Sequence, residues 1–283
     1  MSEISTSVTA PGSTANLGPG FDVLGLAIDL RAEVGVGPIP SGARAIDESH
    51  PGAIAYRLAG GLSADLWSRS RLPMGRGLGY SGAVRAAGAM LAIVESEGPD
   101  SASDARSRDQ ARLIASDLEG HPDNAAASVH GGLVVAAPTG EVTPVPIGFD
   151  PAVLVWIPDT TTSTDQSRTR LSDKVERVDT VANLAAMANL IVGVLTGDRG
   201  ALKAGCEDRI HQPSRLAGVP QSANVLEQLL DLGAMAAWLS GSGPTVAAFV
   251  ERSDIERIGA SLKDGVVRVL EIDSIGVSVD ISM

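Results

Sequence analysis

Residues 73–84 read PMGRGLGYSGAV, and three glycines (Gly75, Gly77, Gly79) alternate there with Met74, Arg76, Leu78 and Tyr80. Ser81 follows, and then Ala83, Val84, Ala86, Ala87, Met90, Leu91 and Val94 make an apolar stripe at helical spacing. A glycine-rich turn after Pro73 thus feeds the N-terminus of a helix. Glycine tolerates positive φ and close backbone approach. The first N–H groups of a helix lack internal partners and carry the positive end of its dipole. Together these features suit a polyphosphate. An ordinary strand-to-helix turn carries the same glycines, so the stretch alone leaves both readings open.

Two other phosphate loops are excluded. The Walker loop needs Gly-Lys-Ser/Thr, and the lysines here are Lys174, Lys203 and Lys263, all outside glycine-rich loops. The dinucleotide fingerprint needs G-x-G-x-x-G, whereas this stretch spaces its glycines G-x-G-x-G. A cradle without lysine relies on backbone amides, the helix dipole and a metal ion. Other polar points fall in four segments: Asn16 and Asp22 within a Pro/Gly-rich loop at 10–30, His121, Asp123 and Asn124 at a helix start, Arg168 in a Thr/Ser-rich loop, and Arg209 and Arg215 within 208–215. A His/Asp/Asn cluster at a helix start is often only a cap. Beside a phosphate loop it can handle a substrate hydroxyl.

The elements that would position these groups follow from periodicity. A first strand ends at residues 8–10. A buried strand follows the loop, from Phe21 to Leu30, with a short strand at 34–36 and another at 62–72. Helices are expected at 53–60, from 83 to about 97, at 111–118, over 175–195, at 223–232 and at 255–262. Strands are expected at 133–137, 152–157, 234–239, 246–250, 266–270 and 275–281, and residues 1–7 are expected to fray. The proline-rich stretch 138–151 is the best domain boundary, giving domains 1–150 and 151–283. The closing order of strand, glycine turn (240–246), strand, helix and strand suggests a small α+β sandwich.

The chain has 283 residues and 44% hydrophobic content, enough for a sizeable core. Its net charge of −12 argues against a nucleic-acid surface. No apolar run is read as long enough to span a bilayer, so no membrane partner is expected. A lone cysteine, Cys206, excludes a disulfide framework and a zinc cluster and fits a reducing cytoplasm.

Three stretches in order resemble one family. Residues 10–27 (APGSTANLGPGFDVLGLA), 73–83 and 239–246 (LSGSGPTV), with HPDN at 121–124 between them, are similar to the motifs of the GHMP kinases, most of all to the homoserine-phosphorylating branch. The resemblance covers nearly the whole chain. It implies an α+β, two-domain GHMP kinase fold: a ribosomal S5 domain 2-like N-terminal domain and an α/β sandwich C-terminal domain, with the active site between them. It implies ATP and Mg2+, with residues 73–81 on the nucleotide and Ser81 and Glu119 on the metal. Magnesium prefers oxygen ligands, which this pair supplies.

The implied acceptor is the small molecule L-homoserine, phosphorylated on its side-chain hydroxyl for threonine synthesis. The implied substrate contacts are Asn16, Asp22, His121, Asn124, Arg168 and Arg215. The arginines suit a carboxylate, Arg209 standing as a substitute, and Asp22 suits an ammonium. Asp123 and Asn124 would act at the hydroxyl, Asp123 as a base or an electrostatic residue. Another amino alcohol such as L-threonine, or a nucleotide-binding pseudokinase, is the alternative, and a homodimer is left open. The chain departs from the family pattern at Tyr80 and Gly82, where serine and alanine are usual. It departs also at Arg76, at Ser214 and in the short segment between the first two motifs.

Overall fold

The computed structural model describes residues 5–282. In chain order the elements are β1 (Ser5–Ala15), β2 (Leu24–Val36), β3 (Arg44–Ala45), α1 (Pro51–Leu58), β4 (Leu66–Ser70), α2 (Tyr80–Glu97), α3 (Ala105–Glu119), α4 (Asp123–His130), β5 (Leu133–Ala136) and β6 (Val142–Val145). Then come β7 (Ala152–Ile157), α5 (Thr164–Arg168), α6 (Arg177–Thr196), α7 (Arg199–Gly205), α8 (Gln212–Leu216), α9 (Pro220–Asp231), β8 (Ala236–Leu239), β9 (Val246–Val250), α10 (Ile255–Ser261), β10 (Val266–Leu270) and β11 (Ser278–Ser282).

Two sheets result, and the architecture is α+β. The larger runs β11-β1-β2-β4-β3, with β5 joining β2 and β6 joining β5. The smaller is antiparallel, in the order β10-β7-β9-β8. Side chains of its strands alternate between the two faces. Val153, Val155 and Phe249 pack into the same core as Leu190 and Val194 of α6, while Leu154, Trp156 and Ala248 pack with Val225 and Leu229 of α9 and Ile258 of α10.

The pivot is α2. From Gly82 to Val94 only Arg85 is not buried. Such a helix is apolar all round because it is enclosed all round. Gly88 lets α1 cross it, since a Cβ there would lie 2.1 Å from the Gly52 carbonyl oxygen. At its start, Gly79 takes φ 69° and no side chain caps the helix. The first N–H groups of α2 are therefore left to the cleft.

Several boundaries differ from expectation. β1 does not end at residue 10. It continues through Pro11 to Ala15, with its register shifting between Pro11 and Gly12, a bulge that lets a Pro-Gly pair stay in a strand. The separate strand expected at 34–36 is the far end of the thirteen-residue β2. The 138–151 stretch holds β6. β11, within the segment expected as the second domain, pairs with β1 of the first sheet, Val279 opposite Val8. Of the residues expected to fray, 1–4 lie outside the described residues. The other three, Ser5, Thr6 and Ser7, form the start of β1 and pair with β11.

One exclusion is corrected. The helix α6, twenty residues of mostly Ala, Leu and Val, is long and apolar enough by length and composition to cross a bilayer. Its place is in the fold. Leu190 and Val194 are buried, a Cβ on Gly193 would meet the Leu202 backbone nitrogen at 2.6 Å, and Asn183 donates to the Pro19 carbonyl at 3.0 Å.

Overpacking a close helix crossing costs about 1–3 kcal/mol. Gly88→Ala is therefore expected to lower unfolding free energy by that amount in urea titrations. An unchanged midpoint would mean that α1 and α2 part freely.

Candidate active site

A cleft of about 370 Å³ opens at the start of α2, lined from both halves of the chain. One wall is the glycine loop. Gly75, Gly77 and Gly79 have φ of 65°, 74° and 69°, the left-handed region that favours glycine. The carbonyls of the loop are turned into protein. The Gly75 oxygen accepts from the Thr162 N–H at 3.1 Å and the Leu78 oxygen from the Ser13 N–H at 3.2 Å. The Gly77 oxygen accepts from the Ser240 hydroxyl at 2.6 Å. In a trans peptide the N–H points opposite the carbonyl. The N–H groups of Arg76, Leu78 and Gly79 therefore face away from these walls, and among the described residues none of them donates to a carbonyl. This is an amide nest for an anion.

The opposite end is ionic. Arg168 donates to both Asp22 oxygens, at 2.9 and 2.6 Å. This bond holds the Arg168 guanidinium above its ordinary pKa even though burial opposes it. Arg215 is buried, donates to the Gly241 carbonyl at 3.0 Å and lies 5.1 Å over the Phe21 ring. Burial, then the Arg168 charge, lowers its pKa. Its Nε is buried without a partner among the described residues. Asn16 braces the loop: its amide donates to Gly241 at 3.1 Å and its Oδ1 accepts from the Asp22 N–H at 3.1 Å.

Between the two ends sit His121, Asp123 and Asn124. Asp123 opens α4, and its Oδ1 is 2.6 Å from His121 Nδ1 and accepts the Asn124 N–H at 2.7 Å. Burial pulls the His121 pKa down, but the bond and charge of Asp123 outweigh it and the net direction is up. Asn124 Oδ1 accepts from Ser13 at 2.8 Å. One ligating atom each of Asp22, His121 and Asp123 falls within 4.8 Å of the others.

Ser81 and Glu119 are linked through Arg85. Its Nη1 donates to Ser81 Oγ at 2.6 Å and pairs with Glu119 Oε1. The oxygen donors suit magnesium in type. As placed, however, both are taken by a guanidinium that cancels the one carboxylate charge, so a divalent ion does not fit this arrangement.

Residues 73–81 and the other candidate residues, Asn16, Asp22, Glu119, His121, Asp123, Asn124, Arg168 and Arg215, all line this cleft. Arg209 does not. It is half-exposed beside Asp179. Tyr80 turns toward α1, its hydroxyl 3.0 Å from His50 Nε2. Sequence reasoning missed Arg85, Gly241 and Ser242. The one local signal for Arg85 is its place one helical turn beyond Ser81.

An amide nest facing an ionic pocket across one cleft defines a phosphotransferase that acts on a small molecule. The GHMP kinases N terminal domain family matches residues 44–132 and the GHMP kinases C terminal family residues 187–267. A homoserine kinase of Moorella thermoacetica is 36% identical over 86% of each chain. One from Cutibacterium acnes is 35% identical over 90% of this chain and 92% of its own. The crystal structure of homoserine kinase from Cytophaga hutchinsonii superposes with a TM-score of 0.83 at 24% identity, covering 99% of this chain and 98% of the other. The chain belongs to the GHMP kinase family and is an ATP-dependent small-molecule kinase.

His211, behind Arg215, bears on stability. Its Nε2 donates to the Gly18 carbonyl at 2.8 Å, and its Nδ1 is 3.3 Å from Arg215 Nη1, so a second proton would face the guanidinium. Asp208, 3.6 Å away, opposes this only in part. Burial holds the pKa of His211 below its ordinary 6.5, as it does for His50 and His130. The unfolded chain therefore takes up protons first as pH falls through 6.5, and stability declines from there toward the folded values. His121, with its raised pKa, acts in the opposite sense, but the three lowered histidines outnumber it, so urea midpoints are expected to drop between about pH 7 and about pH 5. The drop should be shallower in His211→Gln, and an equal slope in the two proteins would remove His211 from the account.

Proposed function

We propose that the protein transfers the γ-phosphoryl group of ATP to the side-chain hydroxyl of L-homoserine, giving O-phospho-L-homoserine. The observation that carries this reading is the charge layout of the ionic pocket. Asp22, Arg168 and Arg215 together match the ammonium and carboxylate of an amino acid. Neither a sugar nor a simple alcohol would use both signs. The names of the 31–36% identical relatives support the same acceptor.

In this mechanism the amides of Arg76, Leu78 and Gly79 and the N-terminus of α2 hold the β- and γ-phosphates. Pro73, Met74 and Tyr80 flank the nucleotide. Arg168 and Arg215 take the acceptor carboxylate, Asp22 takes its ammonium, and Asn16 keeps that loop in register. His121 and Asn124 position the hydroxyl. Asp123 accepts its proton or stabilises the charge that develops on the oxygen. In-line transfer depends chiefly on such positioning and charge stabilisation. Residues 1–150, joined by β11 in their sheet, would form the nucleotide-binding domain and the rest of 151–283 the domain that completes the acceptor pocket, in a cytoplasmic enzyme.

A homodimer is also proposed, from α6. Val178, Val181, Ala185, Ala188, Val192 and Leu195 are exposed at spacings of 3, 4, 3, 4 and 3 residues. Read from either end the stripe runs large, large, small, small, large, large, so it is complementary to itself in an antiparallel pair. Val181→Asp would then halve the mass seen in sedimentation if this face joins two copies, and a monomeric wild type would exclude the interface.

An ADP-release assay with L-homoserine, L-threonine, L-serine and mevalonate tests the reaction. Turnover is expected on homoserine. Asp123→Asn is expected to lower kcat by about 10²-fold or more with a small change in KM, whereas Arg215→Ala should chiefly raise the KM for the acceptor. Preference for another alcohol would reassign the acceptor, and ATP binding without turnover on any would favour a pseudokinase.

A further inference from the structure

Arg85 lies on α2 one turn after Ser81 and is the one side chain from 82 to 94 that is not buried. It reaches the place where the glycine loop, the end of α3 and the start of α4 converge. Its Nη1 donates to Ser81 Oγ and pairs with Glu119. Glu119 itself is fixed: its side chain is 6% exposed, and a Cβ on Gly82 would lie 3.3 Å from its Oε2. The rest of the guanidinium is uncommitted. Nε is buried without a partner, and Nη2 has no hydrogen bond among the described residues. A guanidinium held at Nη1, with Nη2 uncommitted and lining the same cleft as the amide nest, suits phosphate oxygens.

The same geometry works against a divalent ion. Magnesium gives up hydration water reluctantly and needs negative oxygen donors in return. At the Ser81–Glu119 pair the one carboxylate, Glu119, is neutralised, the hydroxyl already accepts a hydrogen bond, and the charge set between them is positive.

We propose that Arg85 occupies, as a tethered cation, the position between Ser81 and Glu119, so that this protein grips the nucleotide polyphosphate through a guanidinium there and not through a protein-held metal. The inference rests on the reading that the glycine loop holds ATP.

Calorimetric titration of ATP, without acceptor, into wild type and Arg85→Leu tests it, each in EDTA and in excess magnesium. Wild-type affinity is expected to differ by less than about threefold between the buffers. Arg85→Leu is expected to lose about tenfold or more in EDTA, the scale of a charged hydrogen bond, and to regain much of it with magnesium. Wild type that binds only with magnesium, by the same margin as Arg85→Leu, overturns the inference while leaving the nucleotide reading in place. Binding in neither buffer brings down the nucleotide reading and the inference with it. Glu119→Gln covers the case in which Arg85→Leu does not fold. It should bind ATP as tightly as wild type, or more tightly, in both buffers, and a loss confined to the magnesium buffer would mark Glu119 as a metal ligand and sink the proposal.

Discussion

The site depends on one close backbone contact, in which the glycine loop is pressed between β1 and the turn after β8. A Cβ on Gly79 would lie 2.2 Å from the Ser13 hydroxyl, and one on Gly77 would lie 2.3 Å from the Ser240 carbonyl oxygen. No side chain other than hydrogen fits either place. The contact joins three distant stretches of chain, and through Ser13 it reaches a fourth at Asn124. It also fixes the direction of the amides, because every loop carbonyl drawn into a wall leaves the next N–H facing away. The nest is therefore a consequence of how the halves of the chain meet.

Charge is placed in the same local way. The chain carries a net charge of −12, which would repel a nucleotide at long range. Salt screens that field within about 10 Å, and the cleft is arranged differently. Asp22 is matched by Arg168, Glu119 by Arg85 and Asp123 by His121. Arg76 and Arg215 line the same cleft without a carboxylate partner among the described residues. Asp165 lines it without a cationic partner among the described residues, so four arginines (Arg76, Arg85, Arg168, Arg215) face four carboxylates (Asp22, Glu119, Asp123, Asp165), and the cleft is close to neutral although the protein as a whole is acidic.

The parts legible in the sequence were those with a local signature. The glycine spacing located the nest, and helical periodicity located α2, α6 and α9 to within three residues and the C-terminal half of α3, whose polar first six residues show no apolar period. Strand alternation located β7, β9 and β10. What failed was non-local. Nothing near Pro11 and Gly12 announces that a strand passes through them, because the bulge is set by pairing with Arg31 and Ile28. The pairing of β11 with β1 joins opposite ends of the described chain, Ser5 with Ser282, and has no periodic trace. The short helices α5, α7 and α8 are held by caps and tertiary contacts, such as Asp208 accepting the Gln212 N–H at 2.6 Å, and five to seven residues are too few for a period to show. Arg85 was hidden differently. It sits in an apolar stripe, where one charged residue reads as the helix's solvent edge until Glu119 is known to lie opposite.

The pairing of Asp22 with Arg168 bears on how an acceptor would be chosen. Both groups are about two-thirds shielded from solvent, with side-chain exposures of 29% and 32%. Each satisfies the other. A zwitterion offers a carboxylate to the arginines and an ammonium to the aspartate, so it can replace the internal pair without leaving either charge unmatched. A ligand with only one of the two charges would free one member and leave the other partly desolvated and unpaired. Such a penalty is larger than the gain from an ordinary neutral hydrogen bond. Discrimination of this kind comes from groups left unsatisfied by the wrong ligand. It needs no steric barrier, and a wide cleft is compatible with it.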